Sequence, residues 1–164
     1  MKINGTRSAA LSALVATFFV GPVLAQKPPL SLVTYGVIGE PQVVDVAPEG
    51  PSIGDMYLRN EKLSLKLDGP AVGEYFSKAT IVFLDEAAQR SARSFFAEMV
   101  LPEGTIFVQD FVQSDHGRPK GAGHKHQGAI VGGTGQYAGV RGTYEIEFIT
   151  GKLAKTSYNF WLGQ

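Results

Sequence analysis

The sequence predicts an all-β fold, a small closed antiparallel barrel of eight strands. Runs that alternate in polarity with a period of two recur along the chain, between turns marked by Gly, Pro and Asp. Twenty glycines among 164 residues supply many such turns. Several runs are apolar on both faces, so one face has an interior to line and the other meets a second layer or a neighbouring subunit. About eight strands of this kind suffice to close a sheet on itself, which removes its exposed edges.

The first element is a leader. Lys2 and Arg7 form a basic start, Ala9 to Val20 is apolar, and Val23-Leu24-Ala25 ends in a small residue suited to signal peptidase. Residues 1–25 therefore read as a signal peptide and 26–164 as the mature domain; 164 less 25 leaves 139 residues, one domain with its own core. The apolar run is too short for a membrane span, and no cysteine follows it to carry a lipid. The expectation is an exported protein, periplasmic or extracellular, without a membrane anchor. Losing Lys2 and Arg7 takes Lys plus Arg from 15 to 13 against 15 acids, a net charge near −2 that disfavours nucleic acid and anionic membranes as partners. With no cysteine there is no disulfide framework, and packing alone holds the fold.

Leu30 to Tyr35 reads as a strand, broken by Gly36, Gly39 and Pro41, with Val43 to Val46 a second, short one. The loop Pro48-Glu49-Gly50-Pro51 leads to Ile53–Leu58. Glu61 to Leu67 alternates, with Leu63, Leu65 and Leu67 on one face, and ends at the turn Asp68-Gly69-Pro70. In Tyr75 to Leu84, Tyr75, Ser77, Ala79, Ile81 and Phe83 share a face. Asp85 to Arg90 is a charged connection with room for one helical turn. Ser94 to Leu101 and Thr105 to Gln113 form a hairpin about Pro102-Glu103-Gly104, and Thr143 to Ile149 with Thr156 to Leu162 closes the chain as an antiparallel pair.

Between these pairs lies Ala129 to Gly142, with five glycines in fourteen residues. Gly133-Thr134-Gly135 mimics a dinucleotide-binding turn, but a strand follows it where that motif needs a helix. No Gly-Lys-Ser/Thr is present to make a phosphate loop. The segment reads as a tightly shaped turn at the barrel rim that places Tyr137 and Arg141.

An apolar barrel needs polar handles to do chemistry. Asp55, Glu98 and Asp110 are candidate cavity acids, since burial raises a carboxyl pKa towards the range of a general acid or base. Asp110 is the sharpest of them, because Ile106, Val108 and Val112 share its face. The alternative for each is a structural acid with its hydrogen bonds satisfied. Arg141 is a candidate carboxylate clamp or oxyanion stabiliser, or equally a surface ion pair. Tyr57, Tyr75, Glu98 and Tyr137 are candidate ligand contacts, with a place in the core or an interface as the alternative for Tyr57 and Tyr75. His116, His124 and His126 cluster in one glycine-rich stretch. The flexible spacing and cationic neighbours favour a solvated loop at the barrel mouth over a metal site.

These motifs, in order over residues 53 to 163, resemble the allene oxide cyclase and dirigent superfamily. They are Gly54-Asp55, Leu67-Asp68-Gly69, Val72-Gly73, Pro102-Glu103-Gly104-Thr105-Ile106 with Val108-Gln109, Ala129 to Gly135, Tyr137, Gly139, Gly142, and Tyr158-Asn159-Phe160-Trp161-Leu162-Gly163. The resemblance implies a calycin-like eight-stranded barrel with an apolar central cavity, assembled as a homotrimer. It also implies cyclisation, isomerisation or stereochemical steering of a small hydrophobic or aromatic molecule, without metal or organic cofactor. Arg141 resembles the arginine that follows the dirigent glycine motif, Asp55 is the nearest match to a dirigent cavity acid, and Asn60 stands where a polar cavity residue survives. The chain departs from plant allene oxide cyclase at Gly36 and Ile38, which replace its Glu and Asn, and it lacks the cavity cysteine. Allene oxide cyclisation itself is therefore not expected. A non-catalytic carrier of small hydrophobic ligands is the competing reading, and a structural module with a filled barrel is a third.

Overall fold

The computed structural model describes residues 29–115 and 121–163. The expected leader and His116 lie outside the described residues. Nine strands run in chain order: β1 (Leu30–Val37), β2 (Gln42–Val44), β3 (Met56–Ser64), β4 (Ala71–Asp85), β5 (Arg90–Leu101), β6 (Gly104–Asp115), β7 (Lys125–Gly133), β8 (Arg141–Thr150) and β9 (Leu153–Trp161). Eight of them form the ring β1-β9-β8-β7-β6-β5-β4-β3, closed by a short β1–β3 pairing, Tyr35 with Ser64 and Gly36 with Leu63. Strand β2 hangs on the outer edge of β3, outside the ring. Every pairing is antiparallel, and the expected eight-stranded closed barrel is what forms.

The hairpins explain most of the order. Pro102 and Glu103 turn β5 into β6 with Leu101 paired to Gly104. Between β4 and β5 the expected helical turn is a four-residue turn instead. It is held by the Ala88 N–H donating to Asp85 Oδ1 at 2.9 Å and by the Gln89 N–H donating to the Glu86 carbonyl. One expected face does not survive. Strand β3 stops at Ser64, where the hydroxyl donates to the Lys66 carbonyl at 2.6 Å and turns the chain, so Leu65 and Leu67 stand about half exposed. In β4 a register shift between Ile81 and Phe83 breaks the alternation, and Phe83 leaves the inward row for the surface.

The glycine segment is a rim turn, as expected, and it also plugs the barrel. A single 3₁₀ turn, Gly135–Tyr137, follows β7. Gly133 has to be glycine because a Cβ there would lie 2.6 Å from the Tyr137 carbonyl oxygen and 2.7 Å from that of Thr105. The turn presses Tyr137 edge-on against Phe160, ring centroids 6.1 Å apart, above a closely packed layer that includes Leu101, Ile106, Ile130 and Val140. One half of the barrel is thus filled with side chains. The other half is hollow.

Candidate functional site

The hollow half is a cavity of about 180 Å³ that is partly open to solvent. An apolar cavity of about 150 Å³ holds benzene, so this space takes a small ring system. Its wall is mostly aromatic and aliphatic, with Tyr57, Tyr75, Phe95, Ile146 and Phe148 contributing. Tyr75 also belongs to the packed core, so it joins the two halves.

Besides its tyrosines, two arginines, a glutamate and a histidine enter this wall: Arg59, Arg93, Glu61 and His126. Each is placed by strand alternation. On β3 the inward row is Tyr57, Arg59, Glu61, Leu63, and on β5 it begins Arg93, Phe95, Ala97, Met99. The Arg93 guanidinium lies over the Tyr57 ring, 4.4 Å from its centroid, and its Nε is buried without a hydrogen-bond partner. The Arg59 guanidinium donates to the Gly39 carbonyl, tying the β1–β2 loop across the barrel mouth. Glu61 Oε1 sits 3.9 Å from that guanidinium, also without a hydrogen-bond partner. Burial pushes the Glu61 carboxyl up from its ordinary range, opposed by Arg59 and by the Gly39 N–H. This side chain therefore approaches neutrality more readily than a surface glutamate, which suits proton transfer.

His126 is on strand β7 and not in a solvated loop. It is boxed by Phe95, Tyr144 and Phe148, with ring centroids 6.2 to 6.3 Å away. Its Nε2 lies 3.9 Å from Asp110 Oδ2, and the Tyr144 hydroxyl reaches the same oxygen at 3.4 Å, a long hydrogen bond. Burial raises the Tyr75, Tyr144 and Tyr158 hydroxyls, Tyr158 to about 12, so all three keep their protons at neutral pH. His124 is exposed beside Phe148. Among the described residues no cluster of three metal-ligating side chains occurs.

The structure separates the residues singled out from sequence. Tyr57 and Tyr75 line the cavity, and Asp110 stands behind His126 at its edge. Asp55 is buried outside it, 2% exposed. It accepts from the Val46 N–H at 3.0 Å, the Ser52 N–H at 2.8 Å and the Ser52 hydroxyl at 2.9 Å. These bonds, the Val46 amide foremost, hold its carboxyl below the ordinary range. Asn60 and Glu98 alternate out of phase with the inward rows and belong to the outer surface. Arg141 and Tyr137 lie at the filled end; the Arg141 guanidinium donates to the Val140 carbonyl at 2.7 Å.

Arg59, Glu61 and Arg93 were not among the sequence candidates, and His126 was weighed there only as a metal ligand in a loop. The signal for them is the phase of the alternation. Arg59, Glu61 and Arg93 each fall two residues from an inward Tyr57, Leu63 or Phe95, and His126 shares the β7 row of Gly128 and the buried Ile130, so extending the period-two rows through polar positions finds all of them.

The family model for the allene oxide cyclase barrel like domain matches residues 34–159. Solved structures share the fold, three of them as follows. A pyocyanin demethylase is 20% identical with a TM-score of 0.61, over 80% of this chain and 100% of the other. A pterocarpan synthase dirigent protein is 17% identical with a TM-score of 0.56, over 83% and 87%. The Diels Alderase AbmU from Streptomyces koyangensis is 16% identical with a TM-score of 0.62, over 82% of this chain and 64% of the enzyme. No curated protein matches the sequence.

Proposed function

Because the chain belongs to the allene oxide cyclase barrel like family, we propose that its hollow half binds a small hydrophobic or aromatic molecule. There it promotes a cyclisation, isomerisation or stereochemically steered step. The observation that carries this reading is the cavity itself: an aromatic wall into which a buried carboxyl, Glu61, and two guanidinium groups, Arg59 and Arg93, project. An apolar, partly desolvated space strengthens each charge–dipole contact within it. Glu61 is the group suited to move a proton, with Arg59 beside it to stabilise the negative charge that results. Neighbours of the same fold include a demethylase, a dirigent protein and a Diels Alderase, which supports small-molecule chemistry as the use of such a barrel.

Binding without turnover is the second reading. It is favoured by Gly36 and Ile38, which line the cavity without a polar group where plant allene oxide cyclase is expected to carry Glu and Asn. Mass spectrometry of the ligand released from purified protein, before and after incubation, decides between the two. A ligand recovered as a new isomer supports catalysis, and one recovered unchanged supports a carrier. If no small molecule, supplied or co-purified, occupies the cavity, both readings fail.

Export through the leader 1–25 and assembly as a homotrimer are part of the same proposal. The outer face of β4 to β6 supports assembly: Phe76, Phe96 and Phe111 are all exposed there, and Phe96 stacks on Phe107 at 6.2 Å.

A further inference from the structure

We propose that the ligand is a flat aromatic carboxylate, with its carboxylate received by Arg93 and its ring lying among Tyr57, Phe95 and Phe148. This rests on the reading above that the cavity holds a small molecule, and it names the chemical class.

The charges in the wall are unbalanced. Arg59 has the Glu61 carboxylate 3.9 Å away, and His126 has Asp110 at the same distance. Arg93 differs from both. Its close partner is the face of Tyr57, and among the described residues no carboxylate lies within ion-pair distance of it. A cation facing a largely apolar cavity without a counter-charge calls for an anion.

Geometry adds the second half of the class. The guanidinium is held over the Tyr57 ring, and its planar fork suits the two-oxygen acceptor of a carboxylate better than a single alcohol oxygen. The surrounding surface is aromatic, and the volume of about 180 Å³ accommodates a small ring system with its far end towards the mouth. A cationic ligand would face Arg59 and Arg93 together. A neutral one would leave Arg93 unpaired.

The test is calorimetric titration of the full chain at pH 7 with three probes of one ring size: 2-naphthoate, 2-naphthylmethanol and 2-naphthylmethylamine. The expected result is 2-naphthoate binding at least about tenfold more tightly than the alcohol, with the amine weakest. In Arg93→Gln, which keeps much of the side-chain length, the preference of the carboxylate over the alcohol is expected to fall to within about threefold. If the alcohol or the amine binds wild type as well as 2-naphthoate, the carboxylate inference is overturned and the small-molecule reading stands. If none of the three binds at concentrations up to about 1 mM, both are overturned. The wild-type ratio decides even where Arg93→Gln fails to fold, which a thermal melt shows. A preference retained in a folded Arg93→Gln protein overturns the assignment to Arg93.

Discussion

Arg93 and Tyr57 meet across the barrel interior, the guanidinium 4.4 Å above the ring, although their strands β5 and β3 are separated by β4. A cation held over a tyrosine face contributes about 0.5–2 kcal/mol, more as water is excluded. In a double-mutant cycle with Tyr57→Leu and Arg93→Gln, urea unfolding is expected to show a coupling of about 0.5–1 kcal/mol. Additivity within about 0.3 kcal/mol removes the stacking contact as a stabilising element.

Glu61 makes stability depend on pH in a direction opposite to that of a salt-bridged acid. Burial raises its folded pKa above the ordinary 4.5, so the folded protein binds the proton more tightly than the unfolded chain does. Its ionisation then costs stability, a cost absent below pH 4.5 and fully present above the folded pKa. Wild type is expected to lose stability relative to Glu61→Gln as pH rises through that window, in thermal melts at matched pH. A difference that stays flat with pH contradicts the assignment.

Asp55 has the reverse sign. Its folded pKa is held below the ordinary 3.8 by the Val46 and Ser52 amides, so its contribution is present above that value and disappears as pH falls through the folded pKa. Asp55→Asn is expected to melt at lower temperature than wild type at pH 7, and the gap is expected to close in acid. Because Asp55 is bonded to the loop before β3 and does not line the cavity, probe affinity in a folded Asp55→Asn protein is expected to remain at the wild-type value. A selective loss of affinity with unchanged melting returns Asp55 to the site.

Gly133→Ala tests the plug. The added methyl meets two carbonyl oxygens at 2.6 and 2.7 Å, and overpacking of this kind costs about 1–3 kcal/mol. Gly151→Ala, with nothing within 4 Å of the new carbon, is expected to stay within about 0.5 kcal/mol of wild type. Equal unfolding midpoints for the two variants contradict the close approach at the rim.

Phe96→Glu addresses assembly. If the exposed aromatic face of β4 to β6 joins three copies, light scattering gives the mass of three chains for wild type and of one chain for the variant. A wild-type mass of one chain at micromolar concentration removes the trimer.

Much of the barrel was legible because strands write their register into the chain. Ile106, Val108 and Asp110 alternate with Phe107, Gln109 and Phe111, and the structure buries the first two and exposes Phe111. The site was less legible for the same physical reason. A cavity is the place where the inward row stops being apolar, so Arg59 looked like a break between two strands where β3 runs unbroken from Met56 to Ser64. His126 likewise looked like part of a solvated loop, yet β7 begins at Lys125. Asp55 and Arg141 stood out as lone charges beside glycine motifs. Local backbone groups bind both, and no spacing in the chain reports which carbonyl or amide a side chain finds.

By itself the sequence determined an all-β chain with turns at Pro102-Glu103 and around Gly133, and the superfamily to which that ordering belongs. Polarity alternation and glycine geometry are local properties, written within a few residues. Only the tertiary structure decided that half of the barrel is filled and half is hollow. It alone set Arg93 over Tyr57 and Glu61 beside Arg59 in that hollow. Both depend on how eight strands close, because strand tilt and stagger, and not the sequence of any one strand, determine which inward residues share a level.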